Sequence, residues 1–305
     1  MRMGQINSDF PIIKISSLTK YYGKQLGVED VDLEIKKGEV FGFLGQNGSG
    51  KTTTIRCILS ILLPTNGAIF LNGELVTRDN PELKEYIGYL PGELNIPGHY
   101  KVSDFIDYIA TLRKSDSSSF MDIVKRFDVP LDKKFAQLSK GNKQKVGIVL
   151  AFMSDPEILI LDEPTSGLDP LFQLELYKLI EQEKQKGKTI FFSSHNLDEV
   201  QRICDRVAII REGKIVTIET VKELAVKVPR KLKAKVTDPN HKDLDQFMEL
   251  ITLRDAESHE VHFNLSNGNS LSKILEALTK IGVDDISYPP ASLEEYFMSK
   301  YATEG

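Results

Sequence analysis

Cysteine is scarce in this 305-residue chain, and the two present, Cys57 and Cys204, have neither a second cysteine nor a histidine at metal-ligand spacing. Neither a disulfide framework nor a zinc site is indicated, and a reduced compartment fits. Long apolar runs are missing as well. The greasiest stretches, Ile58–Leu63 and Val146–Met153, are short and flanked by polar residues, whereas a membrane-spanning helix needs about 20 apolar residues. A surplus of positive charge is also absent: 39 Lys and Arg face 44 Asp and Glu, mixed along the whole length, for a net charge of −5. That balance offers no stripe to nucleic acid and no polybasic anchor to a membrane. The first residues lack the basic-then-apolar order of a signal peptide. The expectation is a soluble, cytoplasmic protein with room for one large α/β domain and a smaller appendage.

What is present is a change of period along the chain. Ile12–Ile15 and Val31–Ile35 alternate with polar neighbours and are closed by turn residues at Gly23 and at Lys37-Gly38, which predicts short strands. Val40–Leu44 is an apolar run suited to a buried parallel strand, and Thr52–Leu63 has helical spacing up to Pro64. Ile158–Leu161 and Thr189–Phe192 read as further buried strands, with helical patterns over Leu171–Gln185 and Asp198–Cys204. Strands alternating with helices predict a mostly parallel sheet covered on both faces. Val102–Phe135 is helical in pattern, broken at Ser115–Ser119, and reads as a helical insert. Beyond Glu219 a small α/β module is expected: Leu232, Ala234 and Val236 alternate, as does Val261–Leu265, while Leu244–Leu253 and Leu271–Ile281 have helical spacing. A capping box, Ser292 with Glu295, opens a last helix.

The residues from Gly45 to Thr52 match the pattern G-x-x-x-x-G-K-[ST], after a predicted strand and at the start of a helix. Gly45, Asn47, Gly48, Ser49 and Gly50 let successive backbone N–H groups turn inward around a phosphate, where the helix N-terminus adds positive partial charge. Lys51 is placed to reach the β- and γ-phosphates of a nucleotide, with Thr53 following in the same turn and the Thr52 hydroxyl available to Mg²⁺. Ile158–Leu161 runs into Asp162 and Glu163. Two acids after a strand are by themselves an ordinary solvated turn, but opposite a P-loop they suit phosphoryl transfer. Asp162 would hold Mg²⁺, directly or through water, and Glu163 would orient and deprotonate the attacking water.

The run Asp162-Glu163-Pro164-Thr165-Ser166-Gly167-Leu168-Asp169, with Ser194-His195 after the next strand, resembles the nucleotide-binding subunit of the ABC family. Leu138-Ser139-Lys140-Gly141-Asn142 resembles the family signature, usually written LSGGQ, and Ser166 to Asp169 resembles its D-loop. His195 resembles the switch histidine and Tyr22 the aromatic that stacks on adenine. The resemblance covers Tyr22 to His195. It implies a P-loop NTPase (RecA-like) parallel sheet core with N-terminal antiparallel strands and a helical subdomain at about residues 93–150, within an ATP-binding domain of residues 1–220. Residues 221–305 would form the small α/β accessory domain.

The resemblance also implies ATP and Mg²⁺ as ligands, with Lys51, Glu163 and His195 as catalytic groups. Partners would be integral membrane permease subunits and a second copy, or a homologous subunit, packed head to tail so that Ser139, Gly141 and Asp169 help bind the other subunit's nucleotide. Read from the residues alone, Ser139 is an ordinary helix cap and His195 a satisfied surface or core histidine. Two departures stand out. Gly92 occupies the place of the family's coupling glutamine, with Glu93 beside it as a candidate metal contact, and Lys140 and Asn142 replace a Gly and a Gln of the signature. This signature, together with an ending in Ser-Leu-Glu-Glu-Tyr-Phe, resembles motor subunits of exporters and implies a peripheral place on the inner face of the membrane. The alternatives are a soluble ABC-type ATPase without a transport role and a regulatory nucleotide-binding module.

Overall fold

The structure, a computed structural model, describes residues 11–227, 230–265 and 271–289. The chain divides into two compact units, Met1–Glu219 and Thr220–Gly305. The first begins with a β-hairpin, β1 (Ile13–Tyr22) and β2 (Gln25–Ile35), turning at Gly23. Next come β3 (Val40–Leu44), α1 (Lys51–Ile58), β4 (Asn66–Leu71), β5 (Glu74–Leu75) and β6 (Ile87–Leu90). The helical insert holds α2 (Val102–Arg113), α3 (Ser117–Arg126) and α4 (Lys140–Phe152). The remainder is β7 (Ile158–Asp162), α5 (Pro170–Gln185), β8 (Thr189–Ser194), α6 (Leu197–Ile203), β9 (Arg206–Arg211) and β10 (Lys214–Thr220).

Two sheets share these strands. One is antiparallel, in the order β2-β1-β4-β5; the other runs β10-β9-β3-β8-β7-β6 and is parallel from β9 to β6. Every residue of β3, β7 and β8 is buried. That is why these segments are continuous apolar runs rather than alternating ones: a parallel sheet is covered on both faces. Ile15, Val31 and Ile69 from the first sheet pack with Phe43, Ile160 and Phe191 from the second in one core, with α1 contributing Ile55 and Ile58. The rings of Phe43 and Phe191 lie 5.3 Å apart. Register then sets the site. Leu44 is level with Ser194, and Asp162 with Ser193, so the loops after β3, β7 and β8 leave the sheet side by side at the strands' carboxyl ends, where open α/β sheets place their ligands.

The second unit has its own core, built on Leu232, Val261, Phe263, Ile274 and Leu278. After α7 (Val221–Lys227), its strands β11 (Arg230–Val236), β12 (Ile251–Asp255), β13 (Glu260–Leu265) and β14 (Val283–Ser287) pair in the order β12-β13-β11-β14, every pair antiparallel, with α8 (Leu271–Ile281) against them. This is the split β-α-β-β-α-β arrangement, with a short 3₁₀ helix, Lys242–Phe247, in place of the first α-helix.

Three local expectations are corrected. The helix expected over Thr52–Leu63 ends at Ile58, because the amides of Ser60, Ile61 and Leu62 turn back to Cys57 and Arg56. The helical spacing at Leu244–Leu253 covers two elements, the 3₁₀ turn and then β12, whose pairing with β13 overrides the local pattern. Ser117 to Ser119 lie within α3, so the break in the insert is confined to the residues after Arg113. The Ser292 and Glu295 capping box falls outside the described residues.

Candidate functional site

Helix α1 begins at Lys51 with Gly50 as its N-cap, at φ 110°, a left-handed conformation that only glycine adopts without strain. No acid of the helix itself sits in its first turn, so the negative charge near its positive end comes from other segments, Asp162 and Glu163. The loop borders a cavity of about 250 Å³ lined by Tyr22, Gly27, Asn47, Gly48, Lys51, Thr53 and Glu163 among others. Beside it the Ser49 hydroxyl is buried with no hydrogen-bond partner, an orphan of the kind that a phosphate oxygen satisfies. Lys51, itself 5% exposed, donates to the carbonyl oxygens of Gly45 at 2.6 Å and Gln46 at 3.2 Å. Its Nζ also lies 3.1 Å from Glu163 Oε1. This is an ion pair rather than a directed hydrogen bond, since Oε1 has no hydrogen-bond partner. The loop therefore fits a polyphosphate, with one cation already drawn to its mouth.

Asp162 ends β7 and is buried. Its Oδ2 accepts from the Thr52 hydroxyl at 2.9 Å and its Oδ1 from the Ser193 hydroxyl at 2.6 Å. A hydroxyl and a carboxylate oxygen side by side are hard donors that suit Mg²⁺, which takes one or two protein oxygens and completes its shell with phosphate and water. No group of three or more acidic, His or Cys side chains that could hold a metal occurs among the described residues.

Glu163 follows at φ 49°. A left-handed backbone in a non-glycine residue costs about 1–3 kcal/mol and persists only where neighbours over-determine it. Its N–H donates to the carbonyl and hydroxyl oxygens of Ser193 at 3.2 and 3.0 Å, and this turn swings the carboxylate toward the P-loop. Glu163 Oε2 stands 2.6 Å from His195 Nδ1. Lys51, Glu163 and His195, far apart in sequence, thus form one chain of contacts.

Tyr22 lines the cavity, its hydroxyl 3.3 Å from Thr53 Oγ1. Its ring covers Gly27, where any Cβ would strike it, leaving a half-exposed aromatic face at the cavity wall. Ser139 caps α4, accepting from the Asn142 N–H at 3.3 Å, and Asp169 caps α5, accepting from Leu171 and Phe172 at 3.1 and 3.2 Å. Gly141 packs so closely on the Gly167 carbonyl that no side chain fits. Ser139, Gly141 and Asp169 do not line the P-loop cavity. They share a second surface, where Lys140 Nζ donates to Ser166 Oγ at 2.8 Å.

At the coupling position, the Cβ direction of Gly92 points to Asp162, with 3.6 Å to its Oδ2. Glu93 is exposed, and no hydrogen bond or ion pair joins it to Thr52 or Asp162 among the described residues. Position 92, not 93, faces Asp162, and it carries no side chain. Burial first, and then the Asp162 carboxylate, push the neighbouring Tyr89 hydroxyl up to about 12, so it stays protonated.

Sequence reasoning missed Gln144. Its buried amide donates to the carbonyl oxygens of Pro164 at 3.0 Å and Glu163 at 3.4 Å. The available signal was a polar residue four before Ile148, on the buried stripe of α4.

Known proteins resemble this chain in sequence and in fold. Residues 28–166 match the family described as ABC transporter. The bacitracin transport ATP-binding protein BcrA of Bacillus licheniformis is 34% identical over 94% of this chain and 96% of its own length. A solved ATP-binding subunit of an ABC transporter, 30% identical, superimposes with a TM-score of 0.65 over 70% of this chain and 91% of that one. The dimeric ABC transporter cassette MJ0796 shares the fold at 23% identity, with a TM-score of 0.62 over 68% and 98%. The chain belongs to the ABC transporter family, as an ATP-binding subunit.

Proposed function

We propose that this chain hydrolyses ATP to ADP and phosphate and passes the resulting motion to separate membrane-spanning permease subunits, in the direction of export. The observation that carries the hydrolytic part is the Lys51–Glu163–His195 cluster, with Glu163 3.1 Å from one partner and 2.6 Å from the other. Lys51 binds the β- and γ-phosphate oxygens and, in doing so, releases Glu163 to face the attacking water. Glu163 accepts that water's proton, while His195 fixes the carboxylate from the opposite side and senses the γ-phosphate. Thr52 and Asp162 would hold Mg²⁺, which would supply positive charge to neutralise the phosphates. Glu93, exposed and joined to neither residue by a hydrogen bond or ion pair, would not join that set. Tyr22 offers its face to adenine.

Ser139, Gly141 and Asp169 stand outside the P-loop cavity. In this proposal they complete the site of a second copy, or a homologous subunit, packed head to tail. No described helix is long and apolar enough to cross a membrane, so transport requires permease partners, and the chain would sit against the cytoplasmic face of the membrane through them. The likeness to a bacitracin transport ATP-binding protein over 94% of this chain supports the transport reading, and the resemblance of the signature and the C-terminal residues to those of exporter motor subunits supports its direction.

The test is turnover by the purified chain and two variants. Lys51→Ala is expected to weaken nucleotide binding at least about 10-fold, the loss of a charge-assisted hydrogen bond. Glu163→Gln is expected to keep ATP bound and to stop hydrolysis. Unchanged affinity in the first variant, or wild-type turnover in the second, would overturn the assignment.

A further inference from the structure

We infer that Gln144 is a positioning residue that ties the catalytic carboxylate of one composite site to the signature segment serving the other. The inference rests on the head-to-tail reading above. Gln144 is 2% exposed, and an amide so buried must find partners for its donors. It finds them in a turn that needs holding. Nε2 donates to the carbonyl oxygens of Pro164 and Glu163, at 3.0 and 3.4 Å, where Glu163 has left-handed backbone. On the opposite side the Glu163 N–H is held by Ser193. The peptide that carries the carboxylate is therefore gripped between β8 and α4, and the α4 grip is one side chain.

The same α4 terminus carries the signature. Gly141 abuts Gly167, and Lys140 Nζ reaches Ser166 at 2.8 Å, so α4 and the segment after β7 meet at three successive points. In a head-to-tail pair, Ser139 and Gly141 serve the nucleotide on the second subunit, while Glu163 serves the nucleotide on its own P-loop. A shift of α4 as the signature engages reaches the Glu163 backbone through Gln144, a direct contact rather than a long path. Coupling between sites needs such a differential contact in the two states. The variants would show Gln144 to act on alignment and on cooperativity, not on nucleotide affinity.

The experiment uses the full chain with Gln144→Met, which keeps the volume and removes both donors, and with Gln144→Asn, which is too short to span both carbonyls. The expected result is ATP affinity within about 2-fold of wild type, and kcat lower by up to about 100-fold, the scale of a 1 Å misplacement. The Hill coefficient for ATP should fall to about 1, as expected when the sites no longer couple. In the protein without nucleotide, the ¹⁵N signal of His195 Nδ1 should also move, because its partner is Glu163. If the Met variant fails to fold, the Asn variant decides by the same measures. A folded variant with wild-type kcat, Hill coefficient and His195 signal overturns the proposal. If the wild-type chain itself neither turns over nor binds ATP cooperatively, the hydrolytic reading fails instead. The His195 signal then still decides on Gln144: a shift upholds its hold on Glu163, and an unmoved signal overturns it.

Discussion

At the scale of single residues, the chemistry rests on Glu163, whose carboxylate lies 3.1 Å from Lys51 Nζ and 2.6 Å from His195 Nδ1. The P-loop was readable because its chemistry is local: three glycines, a lysine and a hydroxyl residue within eight positions already fix a phosphate cradle. Glu163 was readable as an acid at the end of a strand. Its pairing with Lys51 and His195 was not, since it depends on the register of β3, β7 and β8 and on a left-handed turn. Gln144 escaped for the same reason, its partners being carbonyl oxygens that no side-chain pattern reports. Cys57 makes a prediction at this scale. Burial pushes its thiol up to about 11, so little thiolate forms near pH 8 and reagents cannot reach it. Labelling by a thiol reagent is expected to be slow in the native protein and fast in denaturant. Rapid native labelling would contradict the packing of α1.

At the level of elements, the buried parallel strands were evident as apolar runs, and the helices α5, α6 and α8 fell within a residue of their periodic patterns. Element ends were less evident. Helix α1 stops where its last amides turn back to form a tight loop, and β12 takes residues whose spacing looks helical because β13 offers it a partner. The junction of α4 with the segment after β7 yields a direct test. Gly141→Ala would drive a methyl group into the Gly167 carbonyl and is expected to cost about 1–3 kcal/mol, the range for overpacking. A lowered melting temperature checks this, and an unchanged one would show that the loops are slack.

A second joint lies between α3 and α5. Arg126 Nε donates to Glu175 Oε2 at 2.8 Å, and its other nitrogens reach Gln182 Oε1 and the Glu175 carbonyl oxygen. Hydrogen bonds from Lys178 and then Arg126 hold the Glu175 carboxyl below its ordinary value of 4.5. With the folded value depressed, Glu175 stabilises the fold above that ordinary value and loses its contribution as pH falls through the folded one. Arg126→Met should therefore flatten the fall in stability below about pH 4.5. Denaturant titrations at pH 3 and pH 6 would show it, and identical slopes for both proteins would contradict it.

For the molecule as a whole, the composition excluded more than it specified: few cysteines, no spanning run and balanced charge left a large α/β class, and the motifs then narrowed it to one family. The placement of Ser139, Gly141 and Asp169 on a surface apart from the P-loop cavity was expected through the family resemblance alone, because composition and spacing do not carry such a fact of three dimensions. The central claim is that this surface completes the site of another copy. Light scattering of Glu163→Gln measures it most directly. The account predicts a dimer with ATP and Mg²⁺, a monomer with ADP, and no turnover; a monomer at saturating ATP with turnover intact would contradict both the catalytic role of Glu163 and the shared site.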